Sequence, residues 1–371
     1  MIRTLTYFFI AIAVIHGLIH LMGFVAYWPL AKVPELPYKT TLLGNRLEAG
    51  ESGMRAFSIL WLLAGLGMVV AAVALALGKP VWAPVMLGAV SLSLVICILD
   101  WGAAYRGALI DLGFLLILGV VFGLRAQPAP FAAYAAPSTP METVSIPPGL
   151  PKPVERFYRV TYGDQIPVYT SAVMSGRGSV RFMGITLPAR MRFTHIAGQD
   201  YRHYIEATFW GIPVFKVNEH YIGGHSRLDL PFGVVENDPG VDSAANQGLW
   251  AEAAAYPALF VTDSRVRWEA IGDTSAQMYV PFGEDAQVFT VQFDPSTGGM
   301  NHIETLRYRD EKLGKIRWWG DLTYGEGQNG GPTPETFRVN WEDEGTPWLV
   351  YQVEELVANA DVNTYIRQTG P

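Results

Sequence analysis

The chain reads as an α-helical membrane bundle of four transmembrane helices followed by a mainly-β domain, a strongly curved antiparallel sheet (half-barrel) around one helix. Three observations predict this. Four apolar stretches of membrane-crossing length fill the first third of the sequence, a proline-rich segment interrupts the chain after them, and period-two alternation of apolar and polar residues dominates the rest. Half of the 371 residues are hydrophobic, too many for a purely soluble protein of this size. The resulting domains are 1–125 (four-span unit), 126–153 (linker) and 154–371 (β domain).

The expected spans are Leu5 to Trp28, Ala56 to Leu77, Val81 to Leu99 and Ala103 to Leu124. Each reaches the roughly 20 residues that cover a hydrocarbon core. The first follows Met1-Ile2-Arg3 as a signal peptide would, but it is long for that role and ends in Tyr27-Trp28-Pro29 without a small-residue cleavage site. Tight connections at Lys79-Pro80 and Asp100-Trp101-Gly102 make the last three spans antiparallel neighbours, with Gly119 and Gly123 offering a close helix contact. Four crossings return the chain to the side on which it began. Lys32, Lys39, Arg46, Arg55 and Arg106 occupy the loops of one side, against Arg3, Lys79 and Arg125 on the other, so those loops are expected in the cytoplasm and the β domain on the outer face of the cell membrane.

Ionisable residues inside an apolar span are functional hypotheses. His16 and His20 lie four apart, on one face of the first helix. Counting inward, His20 and Asp111 have matching depth, which makes a His20–Asp111 contact feasible, with His16 completing two imidazoles and a carboxylate. An interhelical hydrogen bond that fixes packing explains these residues without any metal, haem or proton chemistry. No span but the first carries a histidine, which disfavours haem.

The segment 126–153 holds eight of the 25 prolines, breaking any helix and favouring extended backbone. It reads as a tether that lets the following domain sample the membrane surface. Beyond it, eleven strands are expected: Tyr169 to Phe182, Leu187 to Ile196, Tyr201 to Trp210, Val214 to Ile222, Val266 to Ile271, Ala276 to Phe282, Val288 to Phe293, His302 to Arg309, Ile316 to Tyr324, Thr336 to Glu342 and Trp348 to Val357. One helix interrupts them, Ala244 to Tyr256, capped by Asp242 or Ser243 and ended by Pro257.

A loop of Gly198-Gln199-Asp200 pairs Ala197 with Tyr201 and His195 with His203. One face then carries Leu187, Ala189, Met191, Phe193, Ile205, Ala207 and Phe209, and the other Arg190, Arg192, Arg202, Glu206 and Thr208. For the next hairpin, a two-residue loop at Gly211-Ile212 would bring His220 beside His195 and His203 as a three-histidine metal site. A one-residue shift instead aligns Phe215, Val217 and Tyr221 with the apolar face, and hydrophobic matching favours that register.

The acidic soluble half, with nineteen Lys and Arg against twenty-nine Asp and Glu, excludes nucleic acid as a partner. A single cysteine, Cys97, excludes an intramolecular disulfide. There is no GxSxG elbow, HExxH, phosphate-binding glycine loop or cysteine pair, so no metal or cofactor is expected. Glu252, between Trp250 and Tyr256, is a candidate general base, with pairing to Arg307 or Arg309 the simpler role. The apolar face of Met191, Phe193, Ile205 and Phe209, with Trp250 from the helix, is the expected binding surface for a membrane lipid or hydrophobic small molecule, and the helix its lid or plug. A protein-binding or regulatory envelope module, and a hydrolase or lipid-modifying enzyme using Glu252, His195 or His203, are the alternatives.

NQGLWAEAAAYPALF (Asn246 to Phe260), VRWEAIGDTSAQMYV (Val266 to Val280) and FDPSTGGMNHIETLRYRD (Phe293 to Asp310), together with IHGLIHLMGF (Ile15 to Phe24) and DWGAAYRGALIDLGF (Asp100 to Phe114), resemble a bacterial membrane-protein family catalogued as a domain of unknown function. The resemblance implies a soluble part similar to the half-barrel of periplasmic lipoprotein carriers, which hold acyl chains between a sheet and a lid helix. It draws attention to His20, Trp250 and Glu252 and assigns them no role.

Overall fold

The computed structural model describes residues 2–137, 140–310, 314–326 and 332–371. The chain forms two compact units, Met1–Phe122 and Gly123–Pro371.

The first unit is helical: α1 (Ile2–Tyr27), α2 (Gly50–Ala76), α3 (Trp82–Leu99) and α4 (Trp101–Gly123), with a short hairpin of β1 (Thr41–Leu42) and β2 (Leu47–Glu48) in the first loop. All four helices are long and apolar enough to cross a membrane. Met68, Ala71, Ala72, Met86, Val90, Phe114 and Leu118 fill their shared core. The close backbone contact joins α1 to α2: a Cβ on Gly65 would stand 2.5 Å from the Gly17 carbonyl oxygen, so only glycine fits there. Gly119, one of the two glycines expected to make such a contact, faces nothing within 4 Å. At the α3–α4 turn Asp100 is buried and accepts hydrogen bonds from Tyr27 Oη and Lys39 Nζ, which neutralises it.

In the second unit β3 (Thr143–Ser145) pairs with β4 (Gln165–Pro167) around α5 (Lys152–Tyr162), a helix that the strand-dominated reading missed. Val154, Phe157, Tyr158 and Thr161 recur at helical spacing and are buried, while Val160 is exposed. Then come β5 (Ser171–Phe182), β6 (Ile185–Ile196), β7 (Asp200–Phe209), β8 (Ile212–Ile222), β9 (His225–Leu230) and β10 (Gly233–Glu236). The helical interlude is α6 (Pro239–Glu252), a 3₁₀ turn at Ala253–Ala255 and α7 (Leu259–Thr262). A second run follows: β11 (Arg267–Ala270), β12 (Ser275–Phe282), β13 (Asp285–Phe293), β14 (Met300–Asp310), β15 (Gly314–Glu326), β16 (Pro332–Trp341) and β17 (Leu349–Ala358).

All eleven expected strands are present in the large sheet, where β9 and β10 are additional, and the small β1–β2 and β3–β4 pairs are additional outside it. The two runs are antiparallel meanders joined where β17 pairs with β5, giving one 13-stranded sheet with β10 and β11 at its edges. Helix α6 begins five residues before its expected start. Pro239 occupies its first turn, and Asp238 rather than Asp242 or Ser243 caps it, accepting from the Gly240 and Val241 amides. Asp242 is occupied elsewhere, accepting from the Ser226 amide and hydroxyl at 2.6 Å.

The proline-rich segment lies along the arginine-bearing face of the sheet. Arg177, Arg190 and Arg192 donate to the carbonyl oxygens of Pro128, Ala129 and Ala132, and Phe131 packs under Arg190 and against Tyr204. The C-terminal residues cover the same face, Arg202 donating to the Tyr365 and Gly370 carbonyls. Arg192 and Arg202 are buried there, Arg192 donating also to Ser175 Oγ and Arg202 to Asn218 Oδ1, partners that apolar cover would not offer.

Candidate functional site

On the opposite face, apolar rows from both meanders meet α6. Leu249, Trp250 and Ala251 are buried among Phe193, Tyr201, Met278, Phe289, Ile303 and Trp318. The polar residues of α6 tie it to both runs: Asn246 donates to Gln287 Oε1 (2.8 Å) and the Pro281 carbonyl (3.0 Å) in the second meander and accepts from Tyr221 Oη (3.3 Å) in the first. Gln247 donates to the Leu306 carbonyl at 2.9 Å.

Beneath α6 lies a cavity of about 70 Å³. Its lining is apolar at Phe193, Ile205, Ile303, Phe337, Val339 and Leu349 and includes four ionisable residues, His203, Glu219, Glu252 and Arg307. Phe193 and Ile205 therefore line the cavity as expected from their face. Met191 is buried in the core, Trp250 packs beside Gly198 and Arg265, and Phe209 ends β7, so none of these three borders it.

The register explains who meets whom. The β6–β7 loop is one residue earlier than expected, so His195 pairs with Tyr201 and Phe193 with His203. Moving the loop by one shifts the pairing by two, which preserves the face of every side chain. In the β7–β8 hairpin Ala207, Ile205 and Tyr201 pair with Phe215, Val217 and Tyr221, the register favoured by hydrophobic matching. His220 consequently pairs with Arg202 on the other face and is excluded from any site with His195 and His203. The same parity brings Glu219 opposite His203. Sequence reasoning passed over Glu219, although an acid between Val217 and Tyr221 in an apolar row is itself a signal. Arg307, two positions beyond Thr305 in the inward row of β14, is another.

Glu252 Oε2 lies 2.7 Å from His203 Nε2 and 3.1 Å from His195 Nε2. His203 Nδ1 faces Glu219 at 3.5 Å, and Tyr201 Oη donates to Glu219. Burial opposes charge on His203, but Glu252 and Glu219 outweigh it and raise the imidazole to about 9. Burial likewise opposes the Glu252 carboxylate, and His203 with His195 overrides it, holding the group at about 2. His195 is wholly buried, and that burial pushes its pKa down despite Glu252. Arg307, its pKa lowered by burial, stands over Trp318 at 4.7 Å. Glu252 does not pair with Arg309, which is spent on Asp343 and Glu344 at the surface.

His195, His203 and Glu252 are the one group among the described residues whose donor atoms converge, within 4.8 Å of one another, as metal ligands would. The fold thus replaces the His220 of the three-histidine possibility with a carboxylate. In the helical unit, His16 Nε2, not His20, contacts Asp111, at 2.9 Å, and His20 reaches it through Ser93. The depth estimate erred because α4 starts at Trp101, which sets Asp111 deeper, level with His16.

Residues 141–353 match a family of unknown function, DUF6544. The chain belongs to that family. No curated protein matches the DUF6544 chain. Solved structures similar to it include a putative outer membrane lipoprotein-sorting protein domain from Vibrio parahaemolyticus (10% identity, 57% of this chain and 93% of that one, TM-score 0.33). A LolA superfamily protein from Nitrosomonas europaea (9% identity, 56% and 92%, TM-score 0.34) and a DUF1329 family protein from Desulfovibrio piger (13% identity, 56% and 91%, TM-score 0.33) are also similar.

Proposed function

We propose that the DUF6544 domain binds an amphiphile, a lipid or lipid-linked molecule, with its apolar part along Phe193 and Ile205 and its polar end at Glu252, His203 and Arg307. The observation that carries this reading is the cavity beneath α6, whose lining combines a mostly apolar wall with the ionisable cluster of His203, Glu219, Glu252 and Arg307. The sheet is read as a half-barrel curled around α6. Asn246 reaches Tyr221 of β8 and Gln287 of β13, eight strand positions apart in the sheet order, and at about 4.8 Å per strand a flat sheet would separate them far beyond one side chain. At about 70 Å³ the cavity accepts a head group and a few methylenes, so a long acyl chain requires α6 to part from the strands. Every α6 residue from Ser243 to Ala251 is buried, which makes the helix a plug that loading would loosen.

The helical unit anchors this domain in the cell membrane, with the domain on the outer face as the loop charges indicate. Support for membrane contact comes from the hairpin ends. The β5–β6, β7–β8 and β9–β10 turns share one end of the sheet and present Met183 (83% exposed), Trp210 (52%) and Phe232 (81%), with Ile185 and Ile212 beside them. In the same run of strands, the turns at the opposite end are polar, at Gln199-Asp200 and Gly223-Gly224-His225. Exposed aromatic and aliphatic residues at the tips of three successive hairpins suit a lipid interface.

Native mass spectrometry with lipid extraction on residues 126–371 tests the reading; the fragment starts before Phe131 because that segment covers the sheet. A Cβ on Gly248 would sit at ordinary contact distance from Arg307 and Glu252, so Gly248→Leu grows into the cavity without a backbone clash. Co-purifying lipid, absent from a folded Gly248→Leu fragment, is the expected result. A ligand-free wild-type fragment, or equal lipid in the variant, refutes it. The convergence of two histidines and Glu252 also favours a second reading, acid–base chemistry on the bound molecule. Turnover of a lipid ester lost in both Glu252→Gln and Gly248→Leu would establish that reading.

A further inference from the structure

The helical unit contains a second buried polar cluster, independent of the cavity. His16 and His20 of α1, Ser93 of α3 and Asp111 of α4 are each at most 3% exposed. They make four hydrogen-bond contacts: His20 Nδ1 to the His16 carbonyl oxygen (2.9 Å), His20 Nε2 to Ser93 Oγ (2.7 Å), Ser93 Oγ to Asp111 Oδ2 (2.6 Å) and Asp111 Oδ1 to His16 Nε2 (2.9 Å). The remaining titratable groups packed nearby are Cys97, whose Sγ lies 4.0 Å from Ser93 Oγ, and Asp100, already neutralised by Lys39. Trp61 and Phe114 close the cluster with their rings.

Each contact requires one hydrogen. Two neutral imidazoles, a serine hydroxyl and an ionised aspartate supply three. The deficit can be located. A carbonyl oxygen only accepts, so His20 Nδ1 carries a hydrogen. If His20 is neutral, its Nε2 accepts from Ser93, and the short Ser93–Asp111 contact must then be made by a hydrogen on the carboxyl. If Ser93 instead donates to an ionised Asp111, His20 Nε2 must also donate, and the ring is an imidazolium. Both arrangements contain the same fourth proton and have no net charge. They differ by moving one hydrogen from Nε2 to Oγ and one from Oγ to Oδ2, with no bond between heavy atoms changed. Without that proton the cluster would be a net anion among apolar helices with one contact reduced to facing lone pairs, a costly state in such surroundings.

We infer that His20, Ser93 and Asp111 form a proton-binding relay, in which one proton is shared between the imidazole and the carboxyl through the serine hydroxyl. His16 orients the carboxyl through Nε2–H. With that hydrogen on Nε2 its Nδ1 carries none, in keeping with a buried atom that has no hydrogen-bond partner among the described residues. The contact of Gly17 with Gly65 holds the relay in register, since a Cβ on Gly65 would also stand 2.9 Å from the His20 Cβ.

The test uses the full chain in lipid nanodiscs at neutral pH. Infrared spectra in H₂O and D₂O report whether Asp111 is a carboxylic acid, assigned by its loss in Asp111→Asn. Nitrogen-15 spectra of histidine-labelled protein report whether His20 carries hydrogen on both ring nitrogens. The expected result is a protonated Asp111, an imidazolium His20 or a mixture of the two that accounts for one proton. Ser93→Ala is expected to change that balance in both spectra. An ionised Asp111 with both imidazoles neutral overturns the proposal, as does a folded Ser93→Ala chain with unchanged spectra; the wild-type measurement decides even if a variant does not fold.

Discussion

Replacing Glu252 by glutamine removes one negative charge from the cavity cluster and keeps the shape of the side chain. In the wild type its Oε2 atom lies 2.7 Å from His203 and 3.1 Å from His195. Removing one partner of a fully buried ion pair costs about 3 to 5 kcal/mol, and a hydrogen bond to a charged group contributes about 1.5 to 3 kcal/mol. Glu252 is 24% exposed to the cavity and Glu219 remains beside His203, so about 2 to 3 kcal/mol is the expected loss. For a unit of this size that lowers the melting temperature by roughly 4 to 12 °C. The pH dependence is more specific. His203 is raised to about 9, so its contribution is complete below its unfolded pKa of about 6.5 and is lost as pH rises through about 9. Glu252 is lowered to about 2, so its contribution is complete above about 4.5 and is lost as pH falls through about 2. The difference between wild type and Glu252→Gln should therefore be greatest between about pH 4.5 and 6.5 and shrink on both sides. Thermal unfolding of the full chain in detergent, followed by near-ultraviolet circular dichroism across that range, measures it. Equal melting temperatures, or a difference independent of pH, would refute the ion-pair account of the site.

Two further expectations concern the surfaces of the β unit. Met183→Cys and Phe232→Cys, labelled with a polarity-sensitive fluorophore in the full chain in nanodiscs, should report a lipid environment while Gln199→Cys reports water; identical spectra would remove the hairpin tips from the membrane, and the only native thiol, Cys97, is buried. Phe131→Ala, which removes the ring under Arg190 and Arg192, should cost about 1 to 2 kcal/mol and open residues 126–140 to protease; unchanged cleavage would show that the segment is free of the sheet.

The elements were legible wherever a single periodicity ran long enough. Four apolar helices and eleven strands follow from hydrophobic length and period-two alternation alone, because those patterns are set by the bilayer thickness and the pleat. Helix α5 escaped because it is only about three turns long and its buried Val154, Phe157 and Tyr158 stand among charged residues in a stretch that follows the prolines, and β9–β10 escaped because charged and glycine residues dilute their alternation. The proline-rich segment looked free because its partners, Arg177, Arg190 and Arg192, belong to a sheet face that alternation labels as solvent. Covering such a face with backbone carbonyls leaves no hydrophobic trace in the covering segment.

The site obeys a different logic. Parity determined which residues share the inner face of the sheet, though not which of them reach the cavity, and a register error of two positions left every assignment of face intact while changing every partner across β6 and β7. That is why Phe193, Ile205, His203 and Glu252 could be placed in one region and yet their contacts could not. The informative residues were those that violate the alternation, Glu219 between Val217 and Tyr221 and Arg307 beyond Ile303 and Thr305. A charge in an apolar row must be neutralised by another charge in a facing row. Two acids, Glu219 and Glu252, therefore call for two cations, and the inward rows supply Arg307 and also His203, an imidazole whose charge burial opposes and the two carboxylates restore. The cluster closes its own charge without a ligand. A guest that enters the cavity and binds there must accordingly bring a polar group able to replace one of these four, which is the property that separates an amphiphile from a plain hydrocarbon.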